Sequence, residues 1–353
     1  MDKIAFTQKT NGMEPKPPPY VQKFDPAEAL IKYKVDPTKE IEKPRIILSC
    51  YQSSPMATIG NFSLIIGKAK TKKTFLVTSI AAAAISGKCS IDCITGNLTD
   101  INVILVDTEQ APYHLHRTVD RIIRQTGGTI PDNFSAYGLR PRTASERVQC
   151  IEEIIKNLNR PTLIIVDGLR DLLTRGINDE PEATEIISKV LRWTYEKDCH
   201  IMLVLHQNKN DMNARGHVGT EAVNKAETVL SVARDERDRD ISIVTAEYCR
   251  DIDFPPFYFN INEEGLPYET ERSESLQNRR VNQMKEHFVF ILSGMRSMQY
   301  TELVKQYKEA AGVSDRTAKR HISDALVKFK ILRKDIAEYY RLNEINNENE
   351  EPF

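Results

Sequence analysis

Leu64-Ile65-Ile66-Gly67-Lys68-Ala69-Lys70-Thr71-Lys72-Lys73-Thr74 is the stretch whose reading decides the fold. An apolar run of strand length enters a short loop, and the loop ends at Lys-Thr, heading an alanine-rich segment. Backbone N–H groups at such a helix start lack helical partners and, backed by the helix dipole, can cradle phosphate oxygens. The residues expected around the phosphates are Gly67, Lys68, Ala69, Lys70, Thr71, Lys72, Lys73, Thr74 and Phe75. In this arrangement Lys73 would reach the β- and γ-phosphates of ATP and the Thr74 hydroxyl would coordinate Mg²⁺. The spacing fits G-x-x-x-x-G-K-T except at Lys72, which stands where the second glycine is expected. Glycine there permits a backbone shape that a side chain resists. Lys68, Lys70 and Lys72 either add positive charge for phosphate or are simply solvated.

Outward from the loop, strand-length apolar runs occur at 46–48, 62–66, 103–106, 163–166, 201–205, 228–232 and 241–246. Several lack polar alternation, which suits a sheet covered on both faces. Helical patterns lie between them at 74–86, 111–126, 144–157 and 182–197. Alternation of this kind implies right-handed crossovers and an α/β fold with a mostly parallel sheet.

Three of these runs end in polar groups. Thr162-Leu163-Ile164-Ile165-Val166-Asp167 is an apolar strand ending in aspartate, and Asp167 would hold Mg²⁺ through water at the strand's carboxyl end. Ile104-Leu105-Val106-Asp107-Thr108-Glu109 ends in two carboxylates. Glu109 is the first candidate to orient or deprotonate an attacking water and Asp107 the second; alternatively Asp107 caps the next helix and Glu109 is solvated. Leu203-Val204-Leu205-His206-Gln207 places Gln207 where it could sense a γ-phosphate. Three polar strand ends in one sheet favour a shared crevice over three unrelated surface residues.

Together these motifs resemble the RecA-like P-loop ATPases, particularly the plasmid RepA-type and DnaB-type hexameric helicases and the RadA proteins. The resemblance spans about 45–262 and follows the order Gly67 to Thr74, Glu109, Asp167, Gln207, a loop at 208–219, then a strand ending in arginine. It implies ATP hydrolysis with Lys73, Glu109, Gln207 and Arg250 as catalytic residues, and Thr74 and Asp167 at the metal. Arg250 would be an arginine finger acting in a neighbouring subunit, so a homo-oligomeric ring is implied, a hexamer by analogy. Tyr248 stands where many relatives carry lysine. The 208–219 loop would face a central channel, where Lys209 and Arg215 touch single-stranded DNA or are merely exposed.

The chain has 353 residues, long enough for more than one folded unit. The first 43 residues are polar and proline-rich, an arm with a possible short helix at 26–34. The ATPase domain is expected at 44–262 and a charged linker at 263–280. Residues 281–342 suggest helices and a small hairpin wing, and 343–353 an acidic tail. In the C-terminal unit Gly312 suits a turn and Ser314 an N-cap, so Arg316, Lys319 and Arg320 fall early on the second helix of a helix-turn-helix. Residues 281–335 carry 11 Lys and Arg against 6 Asp and Glu. This resembles a winged-helix domain that binds duplex DNA; the other reading is a protein-docking module with solvated basic residues.

Elsewhere the chain is neutral, with net charge −1, so any nucleic-acid surface is a local patch. The six cysteines form no C-x-x-C pair and suit reduced thiols better than disulfides or a zinc site. Trp193 reads as core packing on an amphipathic helix. No signal peptide or membrane span is apparent, so a cytoplasmic location is expected. The expected activity is a DNA-associated motor ATPase, most specifically a replicative helicase of a plasmid or mobile element. Its competitors are a regulatory DNA-binding ATPase without translocation and a nucleotide-binding scaffold with weak hydrolysis.

Overall fold

The computed structural model describes residues 24–207, 214, 216–271, 276–293, 297–335 and 337–343, with only the helical backbone given for 276–280. The chain divides into two compact units, residues 1–43 and 44–353. In the first, α1 (Pro26–Lys32) is capped by Asp25, whose carboxylate accepts from Ala27 N at 2.9 Å. The helix buries none of its residues, and Leu30 and Ile31 are exposed.

The second unit opens with β1 (Ile46–Cys50), β2 (Ser54–Thr58), β3 (Phe62–Gly67), α2 (Lys73–Ser86) and β4 (Ile94–Gly96). There follow β5 (Asn102–Asp107), α3 (Pro112–Gln125), β6 (Phe134–Gly138), α4 (Ala144–Lys156) and β7 (Thr162–Asp167). After a 3₁₀ turn at Leu169–Leu172 come α5 (Glu180–Glu196), β8 (Cys199–His206), α6 (Gly216–Lys225) and β9 (Thr228–Arg234). Strands β10 (Ser242–Cys249), β11 (Phe257–Ile261) and β12 (Pro267–Thr270) complete the main sheet.

That sheet has nine strands in the order β12-β11-β10-β9-β3-β8-β7-β5-β6. From β9 to β6 every pairing is parallel; β10, β11 and β12 are added antiparallel. The strand interiors are apolar on both sides because both sides are covered. Ile65, Leu105, Ile165 and Val204 share a core with α2 and with Ile122 of α3. Their neighbours Leu64, Ile104, Ile164 and Leu203 face Ile151 of α4, Ile187 and Trp193 of α5 and Val218 of α6. This is the period-2 consequence of a doubly covered sheet.

Three readings of the sequence need correction here. The 46–48 run belongs to a separate antiparallel sheet, β2-β1-β4, and not to the main sheet. Ile47, Met56 and Ile94 from that small sheet close the core around α2, so alanine fits where α2 is buried on nearly every side. Residues 263–270 are not linker: β12 pairs with β11, and Arg121 Nε and Arg124 Nη1 of α3 donate to the carbonyls of Gly265 (3.0 Å) and Glu264 (3.1 Å). The segment is charged, yet it is folded. Finally, the expected 208–219 loop is shorter, because α6 begins at Gly216.

Beyond residue 275 the chain forms α7 (Leu276–Leu292), α8 (Tyr300–Ala311), α9 (Asp315–Val327) and the hairpin of β13 (Leu332–Lys334) and β14 (Tyr340–Leu342). Gly312 ends α8 in the left-handed conformation at φ 65°, and Ser314 Oγ accepts from Thr317 N at 3.3 Å to start α9. A separate core of Phe288, Leu303, Tyr307, Ile322 and Leu332 holds these elements together. All six cysteines are free thiols. Among the described residues no helix is long and apolar enough to cross a membrane.

Candidate functional site

The site lies at the carboxyl ends of the parallel strands, where β3 runs into α2. Gly67 ends β3 in close quarters: a Cβ there would stand 2.5 Å from the Val232 carbonyl and 2.8 Å from Thr71 Oγ1. Glycine is therefore required at this bend. The loop then closes on itself, Thr71 Oγ1 donating to the Lys68 carbonyl at 2.9 Å.

Lys72 resolves the departure from the glycine pattern. It adopts φ 70°, ψ 25°, the left-handed conformation that glycine would supply at this place. The backbone shape is kept and a side chain carries the cost. Lys72 Nζ donates to the Asp240 carbonyl and approaches Asn260 Oδ1 at 3.3 Å. Arg234 Nε adds a second tether, donating to the Lys70 carbonyl at 2.9 Å. Burial, then the nearby Arg234 charge, lower the pKa of Lys72. Lys68, Ala69 and Lys70 are exposed. Of the three extra lysines, Lys72 fastens the loop to the antiparallel half of the sheet.

Lys73 is buried and its Nζ donates to the carbonyls of Gly67 (2.8 Å) and Lys68 (3.0 Å), with His206 Nδ1 at 3.1 Å. Burial pulls its pKa down to about 8, with Asp167 and Glu109 opposing the shift. Thr74 Oγ1 lies 3.3 Å from Asp167 Oδ2. Burial, reinforced by Asp107 and Glu109, raises the Asp167 carboxyl to about 7. A hydroxyl facing a carboxylate at a helix start is a donor set that suits a hard cation such as Mg²⁺. Phe75 contributes differently from expectation: its ring lies beneath the Arg121 guanidinium at 4.0 Å.

The two carboxylates after β5 divide their tasks. Asp107 is buried and accepts from Glu109 N (3.0 Å), Gln110 N (2.7 Å) and Gln110 Nε2 (2.6 Å). It is spent on fixing the turn before α3. Glu109 stays half-exposed, with Oε1 3.7 Å from His206 Nε2. Its pKa is lowered, chiefly by His206, with Lys73 and Arg170 adding to the effect. The geometry thus brings Lys73, Thr74, Glu109, Asp167 and His206 together.

Gln207 is buried at the end of β8, its N–H donating to the Gly67 carbonyl at 3.1 Å. It forms an isolated bridge with Ala214, which closes the base of the loop between them. Lys209 and Arg215, the expected channel contacts, lie outside the described residues.

Sequence reading underrated three residues. His206 stands between Lys73 and Glu109. Thr108 Oγ1 is placed to donate to the Asp167 carbonyl (3.1 Å) or to Asp171 Oδ2 (3.0 Å). Gly168, at φ 121°, lets the chain pass there; a Cβ would stand 2.0 Å from Thr108 Oγ1 and 3.3 Å from Glu109 Cγ. A glycine directly after a strand-ending aspartate was the available signal.

Arg250 is not brought to this cluster. Its N–H donates to the Glu227 carbonyl, and the neighbouring Cys249 is paired with Thr228, which in turn pairs with Ser63 at the start of β3. The phosphate loop follows the other end of β3, so within one chain Arg250 and Thr74 stand at opposite ends of the sheet. Its guanidinium reaches Asn61 Oδ1 at 3.4 Å and the Lys225 carbonyl at 3.5 Å. Arg316, Lys319 and Arg320 are exposed on the first half of α9, Lys319 in an ion pair with Asp315 at 2.8 Å.

One strand, β8, separates the phosphate-loop strand β3 from the aspartate-bearing β7, and the chain has the RecA-like P-loop NTPase fold. Residues 55–212 match the model of a family described as an AAA domain. Among solved structures the chain is similar to the ATPase domain of a helicase at 14% identity and a TM-score of 0.43, over 60% of this chain and 85% of that one. It is also similar to the RadB recombinase at 15% identity and a TM-score of 0.43, over 62% of this chain and 94% of that one. No curated protein matches.

Proposed function

We propose that this protein is an ATPase that hydrolyses ATP between subunits of a homo-oligomeric ring and acts on DNA. The observation that carries this reading is the convergence of Lys73, Thr74, Glu109 and Asp167 behind a loop of the phosphate-binding shape. Backbone N–H groups at the start of α2 and the Lys73 ammonium would hold the β- and γ-phosphates. Thr74 and, through water, Asp167 would hold Mg²⁺, which supplies charge neutralisation on the phosphate oxygens. Glu109, kept ionised, would accept the proton of the attacking water, with His206 fixing its carboxylate. Gln207 would register the γ-phosphate and pass the change to the loop it closes.

Arg250 fits a role in trans, since its place at the far end of the sheet bars it from its own site. A guanidinium from the next subunit would stabilise charge on the transferring phosphoryl group. Lys209 and Arg215 would then contact single-stranded DNA in the ring's channel. The helix-turn-helix with its hairpin supports a winged-helix reading, with Arg316, Lys319 and Arg320 presented to duplex DNA. The particular version we favour is a replicative helicase of a plasmid or mobile element, at work in the cytoplasm.

ATP turnover measured on protein of known oligomeric state, with and without single-stranded and duplex DNA, tests the whole reading. Stimulation by single-stranded DNA is expected. Unchanged turnover with ATP-driven assembly would indicate a regulatory ATPase, and bound nucleotide without turnover a scaffold. Mixing inactive Lys73→Ala and Arg250→Ala proteins tests the trans finger: shared interfaces should restore part of the turnover, and an active Arg250→Ala protein alone would sink it.

A further inference from the structure

The C-terminal unit contains a cleft of about 810 Å³ between α7, α8 and α9, apart from the phosphate loop. On α9 the core face is Ala318, Ile322 and Ala325. A second stripe, Thr317, Arg320, His321 and Asp324, follows helical spacing of i, i+3, i+4, i+7 and lines the cleft. Opposite it stand Met284 and His287 of α7, and Lys328 and Phe329 close one end. Helices that face each other usually do so with apolar residues. Here the facing surfaces carry two cations and two imidazoles against a single carboxylate.

The floor is built rather than open. Tyr307 is buried, stacked on Phe288 with ring centroids 4.5 Å apart, and its hydroxyl meets His321 Nδ1 at 3.1 Å. His287 adds an edge contact to the same ring at 5.8 Å. Burial pushes the Tyr307 hydroxyl up to about 12, so it remains neutral. The cleft therefore offers an apolar, partly aromatic wall at Met284 and Phe329 beside a cationic rim at Arg320 and Lys328. Its volume lies in the range of small-molecule sites.

We propose that this cleft binds a small aromatic anion, its ring against Met284 and Phe329 and its carboxylate or phosphate on Arg320 and Lys328. An anion would offset the like charges facing the cleft, and a guanidinium is suited to hold it bidentately. Arg320 is also among the residues assigned above to duplex DNA, so ligand and DNA would compete for one side chain. That last consequence rests on the DNA reading; the binding itself does not.

Calorimetric titration of the full chain with 2-naphthoate tests the site. Saturable binding with a dissociation constant of about 1 mM or tighter is expected. The Arg320→Ala, Lys328→Ala double variant should weaken it by about tenfold or more, and Lys73→Ala should leave it unchanged. Neutral 2-naphthamide should bind markedly less well. Absent saturation, equal binding by the amide, equal binding by the double variant, or loss in Lys73→Ala would each overturn the proposal. Competition is read separately, as weaker duplex binding in the presence of 2-naphthoate. Should the protein bind no duplex at all, only the DNA reading fails.

Discussion

Thr74 Oγ1 and Asp167 Oδ2 stand 3.3 Å apart, joining the first turn of α2 to the last residue of β7. The two residues are separated by 93 positions in sequence, and only the interposed strand β8 brings their elements into this register. The pairing gives the proposed site its metal-binding pole, with Glu109 and Lys73 on either side.

Glu109→Gln should keep nucleotide affinity while lowering turnover by about a hundredfold or more, the usual worth of a positioned base. Lys73→Ala should instead lose affinity, because it removes the cation that meets the phosphates. Fluorescent-nucleotide titration beside steady-state turnover separates the two effects. A Glu109→Gln protein with full turnover would remove Glu109 from the chemistry.

Lys72 holds a left-handed backbone at a cost of about 1 kcal/mol and offsets it with its contacts to Asp240 and Asn260. Lys72→Ala keeps the cost and loses the tether, so it should destabilise by about 1 kcal/mol. Lys72→Gly loses the tether and also the strain, and should lie between Ala and wild type. Urea unfolding of the three proteins gives the order; Ala as stable as Gly would contradict it.

Gly168→Ala should be severely disruptive. The new Cβ would meet Thr108 Oγ1 at 2.0 Å, and φ 121° disfavours any side chain. A loss of about 3 kcal/mol or more is expected, together with displacement of Glu109. Thermal unfolding and turnover should fall together, and a variant with wild-type Tm would refute the close approach.

His200 is wholly buried, donates from or accepts at Nδ1 with the Thr58 carbonyl 2.8 Å away, and is lowered by burial to about 4. The unfolded chain takes up the proton near the ordinary histidine value of about 6.5. Below that pH the unfolded state binds more protons, so stability falls as pH drops from about 6.5 towards 4, by about 3 kcal/mol at full extent. His200→Gln, uncharged throughout, should show a flatter profile over that window in pH-dependent urea melts. An identical slope would assign the dependence to other groups.

How much was legible in the sequence depended on how local each cause is. The parallel core was visible because buried strands must be apolar and crossover helices must repeat between them, as in 62–66, 103–106, 163–166 and 201–205. The short strands β2 and β4 and the antiparallel β11 and β12 were not. Their residues become strand through pairing with distant partners, such as β1 for β4 and Arg121 and Arg124 beside the β11–β12 turn.

By itself the sequence determined the phosphate loop, the carboxylates Glu109 and Asp167 at strand ends, and the caps at Gly312 and Ser314, because each follows from short-range backbone demands. Only the tertiary structure decided what Lys72 does, why Asp107 is consumed by the turn while Glu109 stays available, and that Arg250 lies at the far end of the sheet from Thr74. Those outcomes depend on strand order and direction, which bring together groups that no local pattern connects.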